Sequence, residues 1–189
     1  QLNQGGYPYD MSWNGVPQGV RVITEDTRSA LEEISGVEAV SLYCSRSYAE
    51  MVYYCNTQFS GEVYGIDPHY LNVYGYQVKS GRGFTERDYR NFRKVALVDT
   101  TAVTNLFGGE DPVGKVIEMQ GDVFTVVGVV SLSEEFQPTI NSINDYWMYA
   151  DTSAGSVYIP LTAWPTVYRF DEPQSVAIKV KNTDVMTSA

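Results

Sequence analysis

The stretch from Lys94 to Val130, "KVALVDTTAVTNLFGGEDPVGKVIEMQGDVFTVVGVV", changes its hydrophobic period several times, and those changes limit what the chain can fold into. "KVALVD" is a short apolar run of the kind a buried strand needs. Ala102, Val103, Leu106 and Phe107 then fall at helical spacing, which predicts a helix over Thr100–Phe107, ended by Gly108-Gly109. Asp111-Pro112 turns the chain into "KVIEMQGDVFTVVGVV", whose alternation around Gln120-Gly121-Asp122 predicts a hairpin.

Gly109 and Gly114-Lys115 also have the spacing of a phosphate-binding loop. Such a loop needs a strand before it, a helix after it and Ser or Thr behind the Lys. Here a helix precedes, a hairpin follows, position 116 is Val, and Glu110 and Asp111 would repel a phosphate. The segment therefore reads as a turn, and ATP binding is not expected of it.

With 189 residues and 43% apolar content, the chain can bury a core as one domain or two small lobes. The 23 acidic and 13 basic residues give a net charge of -10, which argues against nucleic acid and against an anionic membrane surface. No apolar run reaches the roughly 18 residues of a membrane span, and no leader pattern is present. Beginning at Gln1, the chain reads as a piece of a longer protein or a mature form, which leaves a membrane parent open.

The two cysteines, Cys44 and Cys55, stand in "VSLYCSRSYAEMVYYCNTQF". A hairpin centred on Ala49-Glu50 pairs residues whose numbers sum to 99, placing the cysteines opposite each other. The expectation is a disulfide and an oxidising, extracytoplasmic compartment, with free thiols packed as small apolar residues as the alternative.

Residues 1–19 are rich in Gly, Pro, Gln and Asn and read as an irregular arm. Thr24 caps a helix with Glu25 and Asp26 in its first turn, Thr27, Ala30, Leu31 and Ile34 as its buried stripe and Gly36 as its stop. "VEAVSLYC" and Glu62–Ile66 read as strands, and Thr85 with Asp88 as a second helix cap. Residues 131–155 form a long polar loop before the last strands, "SVYIPL" and "SVAIKVK", and a further helix is due at Thr183-Asp184. The mixture predicts an α+β fold.

Chemistry is sparse. His69 sits alone in a turn, without the companions that zinc or a Ser-His pair requires, and no Gly-x-Ser-x-Gly elbow occurs. Glu25-Asp26, Glu32-Glu33 and Glu134-Glu135 are sequence neighbours whose side chains diverge, so they suit a solvated face better than an acid/base dyad. Asn141, Asn144, Asp145 and Asp151 lack calcium-loop spacing. No catalytic, metal or cofactor site is expected. Tyr146, Trp147, Tyr149, Trp164 and Tyr168 form the first candidate contact surface.

"GIDPHYLNVYGYQVKSGRGFTERD", the Lys94–Val130 block and "VYIPLTAW" together resemble the extracytoplasmic core domain of MacB-like (FtsX-type) ABC-transporter permeases. Gly81-Arg82, Phe107-Gly108 and Asp111-Pro112 with Gly114-Lys115 fall in the family's order, and "TEDTRSALEEISGVEAV" looks like its first βαβ segment. The resemblance implies two mixed lobes: a discontinuous βαβ porter-like lobe of 20–64 and 171–189, and an inserted mixed lobe of 65–170. It also implies a place between two membrane helices of a permease, a cytoplasmic ATP-binding subunit as partner, a homodimer in the full-length protein, and a cell-envelope partner. The function implied is mechanotransmission, in which ATP-driven motion drives export or signalling, without enzymatic activity in this part. The cysteine pair, the tyrosine-rich hairpin and the 131–155 loop depart from better-known members. A secreted binding module using a tyrosine-rich surface is the alternative.

Overall fold

The computed structural model describes residues 3–4, 7–8, 15, 19, 23–47, 51–134, 154–168 and 172–181. Strands β1 (Asn3–Gln4) and β2 (Tyr7–Pro8) form a small antiparallel ribbon. The other strands are β3 (Val37–Arg46), β4 (Val52–Tyr54), β5 (Thr57–Gln58), β6 (Glu62–Ile66), β7 (Tyr76–Gly81), β8 (Val95–Asp99), β9 (Val116–Met119), β10 (Asp122–Leu132), β11 (Ser156–Pro160) and β12 (Ser175–Val180). They make one ten-stranded mixed sheet in the order β12-β3-β6-β11-β8-β10-β9-β4-β5, with β7 added to β10.

The helices are α1 (Glu25–Glu32), α2 (Tyr70–Val73), α3 (Glu86–Arg90), α4 (Thr100–Phe107) and α5 (Trp164–Val167). Sheet and short helices together give the α+β class. The sheet runs across the boundary expected between residues 64 and 65, which falls inside β6, and β4 reaches past it to pair with β9.

The Lys94–Val130 block folds as its periodicity dictates. Asp99 caps α4 by accepting from the Ala102 N–H at 2.7 Å, and Gly108 closes the helix in the left-handed region at φ 64. The β9–β10 turn places Gln120 and Gly121 at φ 52 and 85, the pair of positive angles that a two-residue hairpin matching the sheet twist requires.

Two expectations are corrected. Cys44 lies opposite Gly65 on β6, and Tyr53 and Tyr54 pair with Gln58 and Thr57, so no Cys44–Cys55 hairpin forms. Both cysteines are free, Cys44 buried and Cys55 exposed. The cause is competition for partners: apolar β3 is taken in between β12 and β6 near one edge of the sheet, which leaves β4 near the other, between β9 and β5. In α1 the buried residue is Arg28, not the Thr27, Ala30, Leu31, Ile34 stripe, and Ile34 is exposed. Arg28 donates to Glu25 and Glu32 at 2.5 Å each, and its charge also feels Asp67; paired in this way, a guanidinium can lie against β3.

The core has two layers, one on each side of the sheet. One joins Val63, Ala96, Val98, Ile117, Phe124, Val126, Val157 and Ile159 to Ala102, Leu106 and Phe107 of α4 and to Trp164. The other is aromatic: Tyr43, Tyr64, Tyr70, Tyr74, Tyr76 and Tyr158 stack around Ile66, Leu97 and Val130. Burial holds the Tyr64, Tyr70, Tyr74 and Tyr158 hydroxyls well above the usual tyrosine range, so these four stay neutral.

Register also sorts the sheet into two ends. At one end lie the start of β3, the end of β12, the ends of β6, β11 and β7, and the start of β8. There the Lys181 N–H donates to the Gly36 carbonyl at 2.9 Å, so the end of β12 is tied to the turn between α1 and β3.

Candidate functional site

Three junctions hold this sheet together, and together they contain most of the residues singled out in the sequence. The first is the turn after α4. Asp111 Oδ1 accepts from the Val113 N–H at 3.0 Å, Pro112 accepts from the Lys115 N–H at 3.0 Å, and the Gly114 N–H reaches the Val126 carbonyl at 2.8 Å. Gly114 stands at φ 84 with open space around its Cα, so glycine is required there by backbone angle alone. Lys115 Nζ bonds Glu110 at 2.5 Å and lies 5.3 Å from the Tyr54 ring centroid and 5.9 Å from that of Phe107. This cation pins β4 to α4. The Gly114 amide that a phosphate would need is already spent on β10.

The second junction joins β7 to α3. Gly81, at φ 72, comes so close to β10 that a Cβ would meet the Val127 carbonyl oxygen at 2.3 Å. The next N–H, of Arg82, donates to that same carbonyl at 2.9 Å. Arg82 then holds Asp88 through Nη1 at 2.7 Å and Nη2 at 3.3 Å, while Thr85 caps α3 by accepting from the Asp88 N–H at 3.4 Å and donates its own N–H and hydroxyl to Asp88 Oδ2. Burial opposes the Asp88 charge, but Arg82 and the Thr85 donors outweigh it and hold this carboxyl below its ordinary value.

Sequence reasoning did not find the third junction. Glu172, 3% exposed, accepts from Trp164 Nε1 at 2.8 Å and pairs through its other oxygen with Arg46 on β3. The Arg46 guanidinium stacks 5.5 Å from Trp164 and 5.0 Å from Tyr168. Cys44 is near enough for burial first, and Glu172 second, to push its thiol up to about 12 against the pull of Arg46. Trp164 is 2% exposed and packs in the core, and Tyr168 packs on it with ring centroids 4.3 Å apart. Tyr146, Trp147 and Tyr149 lie outside the described residues.

A further buried carboxylate, Asp67, ties β3 to the turn before α2: it accepts from Ser41 Oγ at 2.7 Å, the Leu42 N–H at 2.8 Å and the His69 N–H at 3.0 Å. Asp-Pro marked that turn in the sequence, but its partners stand 25 and 26 residues earlier on another element. Among the described residues no group of three or more His, Cys, Asp or Glu is placed to hold a metal, and no helix is long and apolar enough to cross a membrane. These junctions use their charges to fasten one element to another.

The same architecture occurs in solved structures. The periplasmic region of MacB from Actinobacillus actinomycetemcomitans superposes with a TM-score of 0.65 at 24% identity, over 90% of this chain and 72% of that one. The extracellular domain of YknZ, a noncanonical ABC-type transporter from Gram-positive bacteria, gives 0.64 at 20% identity over 88% and 77%. Among curated proteins, an ABC transporter permease of Bacillus subtilis, YvrN, is 27% identical over 167 residues, covering 88% of this chain and 39% of that protein. The macrolide export ATP-binding/permease protein MacB of Neisseria gonorrhoeae is 33% identical over 81 residues, covering 43% of this chain and 13% of that protein. The chain thus spans well under half the length of these curated relatives. The model of the MacB-like periplasmic core domain matches residues 4–189, essentially the whole chain, and the protein belongs to that family.

Proposed function

We propose that this chain is the extracytoplasmic domain of an ABC-transporter permease and that it couples cytoplasmic ATP hydrolysis to outward export or to signalling by transmitting motion. The observation that carries the reading is the pairing of Gly36 with Lys181. A body in which the start of β3 and the end of β12 are paired, at one end of a single sheet, is suited to insertion between two membrane helices, because a shift of those helices would move β3 and β12 together. From that edge the hydrogen-bonded ladder continues through β6, β11, β8 and β10 to β9 and β4. Motion applied at one margin reaches the other without crossing a flexible linker.

On this reading the ATP-binding partner is cytoplasmic, as the ATP-binding/permease naming of the MacB relatives suggests. The porter-like lobe, 20–64 with 171–189, receives the motion, and the inserted lobe, 65–170, presents it to substrate or to an envelope partner. The full-length protein works as a homodimer. Among the described residues the buried charges are committed to structure, which supports a part that transmits motion without enzymatic activity of its own.

The test uses the full-length parent with its ATP-binding subunit in lipid nanodiscs, spin-labelled at Glu38 beside the membrane-proximal edge and at Met51 on the far one. The inter-copy distances at both positions are expected to change together between nucleotide-free and ATP-trapped states. ATP turnover with unchanged distances at both positions sinks the proposal.

A further inference from the structure

Among the described residues three buried side-chain oxygens have no hydrogen-bond partner: Ser131 Oγ, Tyr168 Oη and Gln174 Oε1. Ser131 stands on β10, several strands away from the other two, which flank one place. Tyr168 and Gln174 bracket Glu172 in the chain, the carboxylate that Arg46 and Trp164 hold. The Tyr168 ring centroid lies 5.0 Å from the Arg46 guanidinium and 4.3 Å from the Trp164 ring. Gln174 comes one residue before Ser175, which pairs with Tyr43, so it stands level with Cys44, and the Cys44 thiol feels both Glu172 and Arg46. Of the three junctions described above, this one alone has buried polar atoms that no described group satisfies.

Protein interiors rarely leave a polar atom stripped of water and given nothing in return, so two at one junction ask for a common cause. Burial holds the Tyr168 hydroxyl up to about 12 against the pull of Arg46, with Glu172 adding to the rise. At neutral pH it is therefore an O–H with a hydrogen to donate, whereas Gln174 Oε1 can only accept. The two are complementary and would bond directly if they were within reach of each other, but they do not. What satisfies both is a molecule small enough to lie between them, taking a hydrogen bond from one and giving a hydrogen bond to the other. Further donors stand close by: Arg46 gives Nη1 to the Ser45 carbonyl at 3.1 Å and Nη2 to Glu172, which leaves guanidinium N–H groups unspent.

We infer that the Arg46–Glu172 junction is a binding site for one internal water molecule, which accepts from the Tyr168 hydroxyl and donates to Gln174 Oε1, with Arg46 or Glu172 supplying its third bond. About three bonds to otherwise unsatisfied groups is the usual complement of a buried water. Glu172 and Trp164 are almost wholly buried, which closes the junction to solvent and suits water rather than a larger solute. The water also bears on the ion pair. A carboxylate and a guanidinium that keep one water between them and the core give up less hydration than a dry pair, and this eases the burial of both charges beside Trp164 and Cys44. The site belongs to the folded domain itself and needs neither membrane nor partner.

The experiment compares Tyr168→Phe, Gln174→Met and the double variant with the 189-residue wild type by urea unfolding, beside a high-resolution crystal structure of the wild type. Both substitutions keep the side chain's volume and remove only its polar group. Each single variant is expected to lower the folding equilibrium constant by about two- to tenfold, the weight of a hydrogen bond lost. The double variant is expected to lose no more than the weaker single one, because either change removes the water that both groups share. The crystal structure is expected to show one ordered water within hydrogen-bonding distance of both oxygens. Losses that simply add, a Tyr168→Phe variant as stable as the wild type or more so, or a crystal structure in which either oxygen bonds a protein group instead, overturns the assignment. The wild-type crystal structure decides the matter even where a variant fails to fold. None of these results touches the nucleotide-dependent distances, so the two readings fail separately.

Discussion

Glu172 and Arg46 stand 126 residues apart in the chain and form one ion pair beneath the ring of Trp164, to which Glu172 also gives an acceptor. The pair joins β3 to the segment that leads into β12. Removing one partner of a buried pair leaves the other charge stranded, which costs about 3–5 kcal/mol. Glu172→Ala is therefore expected to lower the unfolding free energy measured in urea by that amount, and Glu172→Gln, which keeps an acceptor for Trp164, by less. Equal losses for the two variants would show that the Trp164 bond contributes nothing.

The two glycines of the family pattern separate two causes. Gly81→Ala meets both an unfavourable φ and a backbone oxygen, whereas Gly114→Ala meets the φ alone. Gly114→Ala is expected to cost about 1–2 kcal/mol and Gly81→Ala distinctly more, on the order of 2–4 kcal/mol. Thermal melts of both variants give the order directly, and the reverse order contradicts the close approach of β7 to β10.

Asp88 sets a pH dependence. Its carboxyl is held below the ordinary value of 3.8, so the unfolded chain takes up a proton there before the folded one does. The stabilisation is complete above the unfolded value and is lost as pH falls through the folded one. Asp88→Asn, which strands Arg82 and weakens the α3 cap, is expected to cost about 2–3 kcal/mol at neutral pH and to flatten the stability curve below pH about 4. Parallel denaturation curves for wild type and variant between pH 7 and pH 3 would refute this assignment.

The thiols should differ sharply. Cys55 is exposed on a hairpin turn, whereas Cys44 is buried with its thiol pushed up to about 12. A disulfide-exchange reagent is expected to modify one thiol per folded chain without prior reduction, and two in denaturant. A mass short by two hydrogens before reduction would restore the disulfide.

Lys115 is expected to leave nucleotide alone. Millimolar ATP with magnesium should not raise the melting temperature, because the Gly114 amide is bonded to Val126 and Glu110 occupies the lysine. A concentration-dependent rise would reopen the phosphate-loop reading.

What was legible in the sequence was local. The α4 helix, its glycine stop, the Asp-Pro turn and the Gln120-Gly121 hairpin each follow from residues within one turn of one another. The choice of strand partners did not. Cys44 and Cys55 have a hairpin register by arithmetic, but β3 gains more from burial between β12 and β6, a competition that no local window contains. Arg28 misled for a related reason: its stem and paired head cover β3, so the charged residue took the place that periodicity gave to Leu31 and Ile34. The Glu172 network required knowing that the end of the chain returns beside β3, and nothing near Glu172 in sequence announces it. Only the resemblance to a family connected these distant parts.

The hydrogen bond from Lys181 to Gly36 has an evolutionary side. Where such a pair marks the neck of an inserted body, as proposed above, that body is an exchangeable cassette. It can be spliced into, or swapped among, host chains by crossing over at two neighbouring backbone positions, leaving the host's own packing intact. Diversification of such proteins is thereby uncoupled: the part outside the neck can change its loops, charges and aromatic faces freely, while the part that inserts in the bilayer keeps one design.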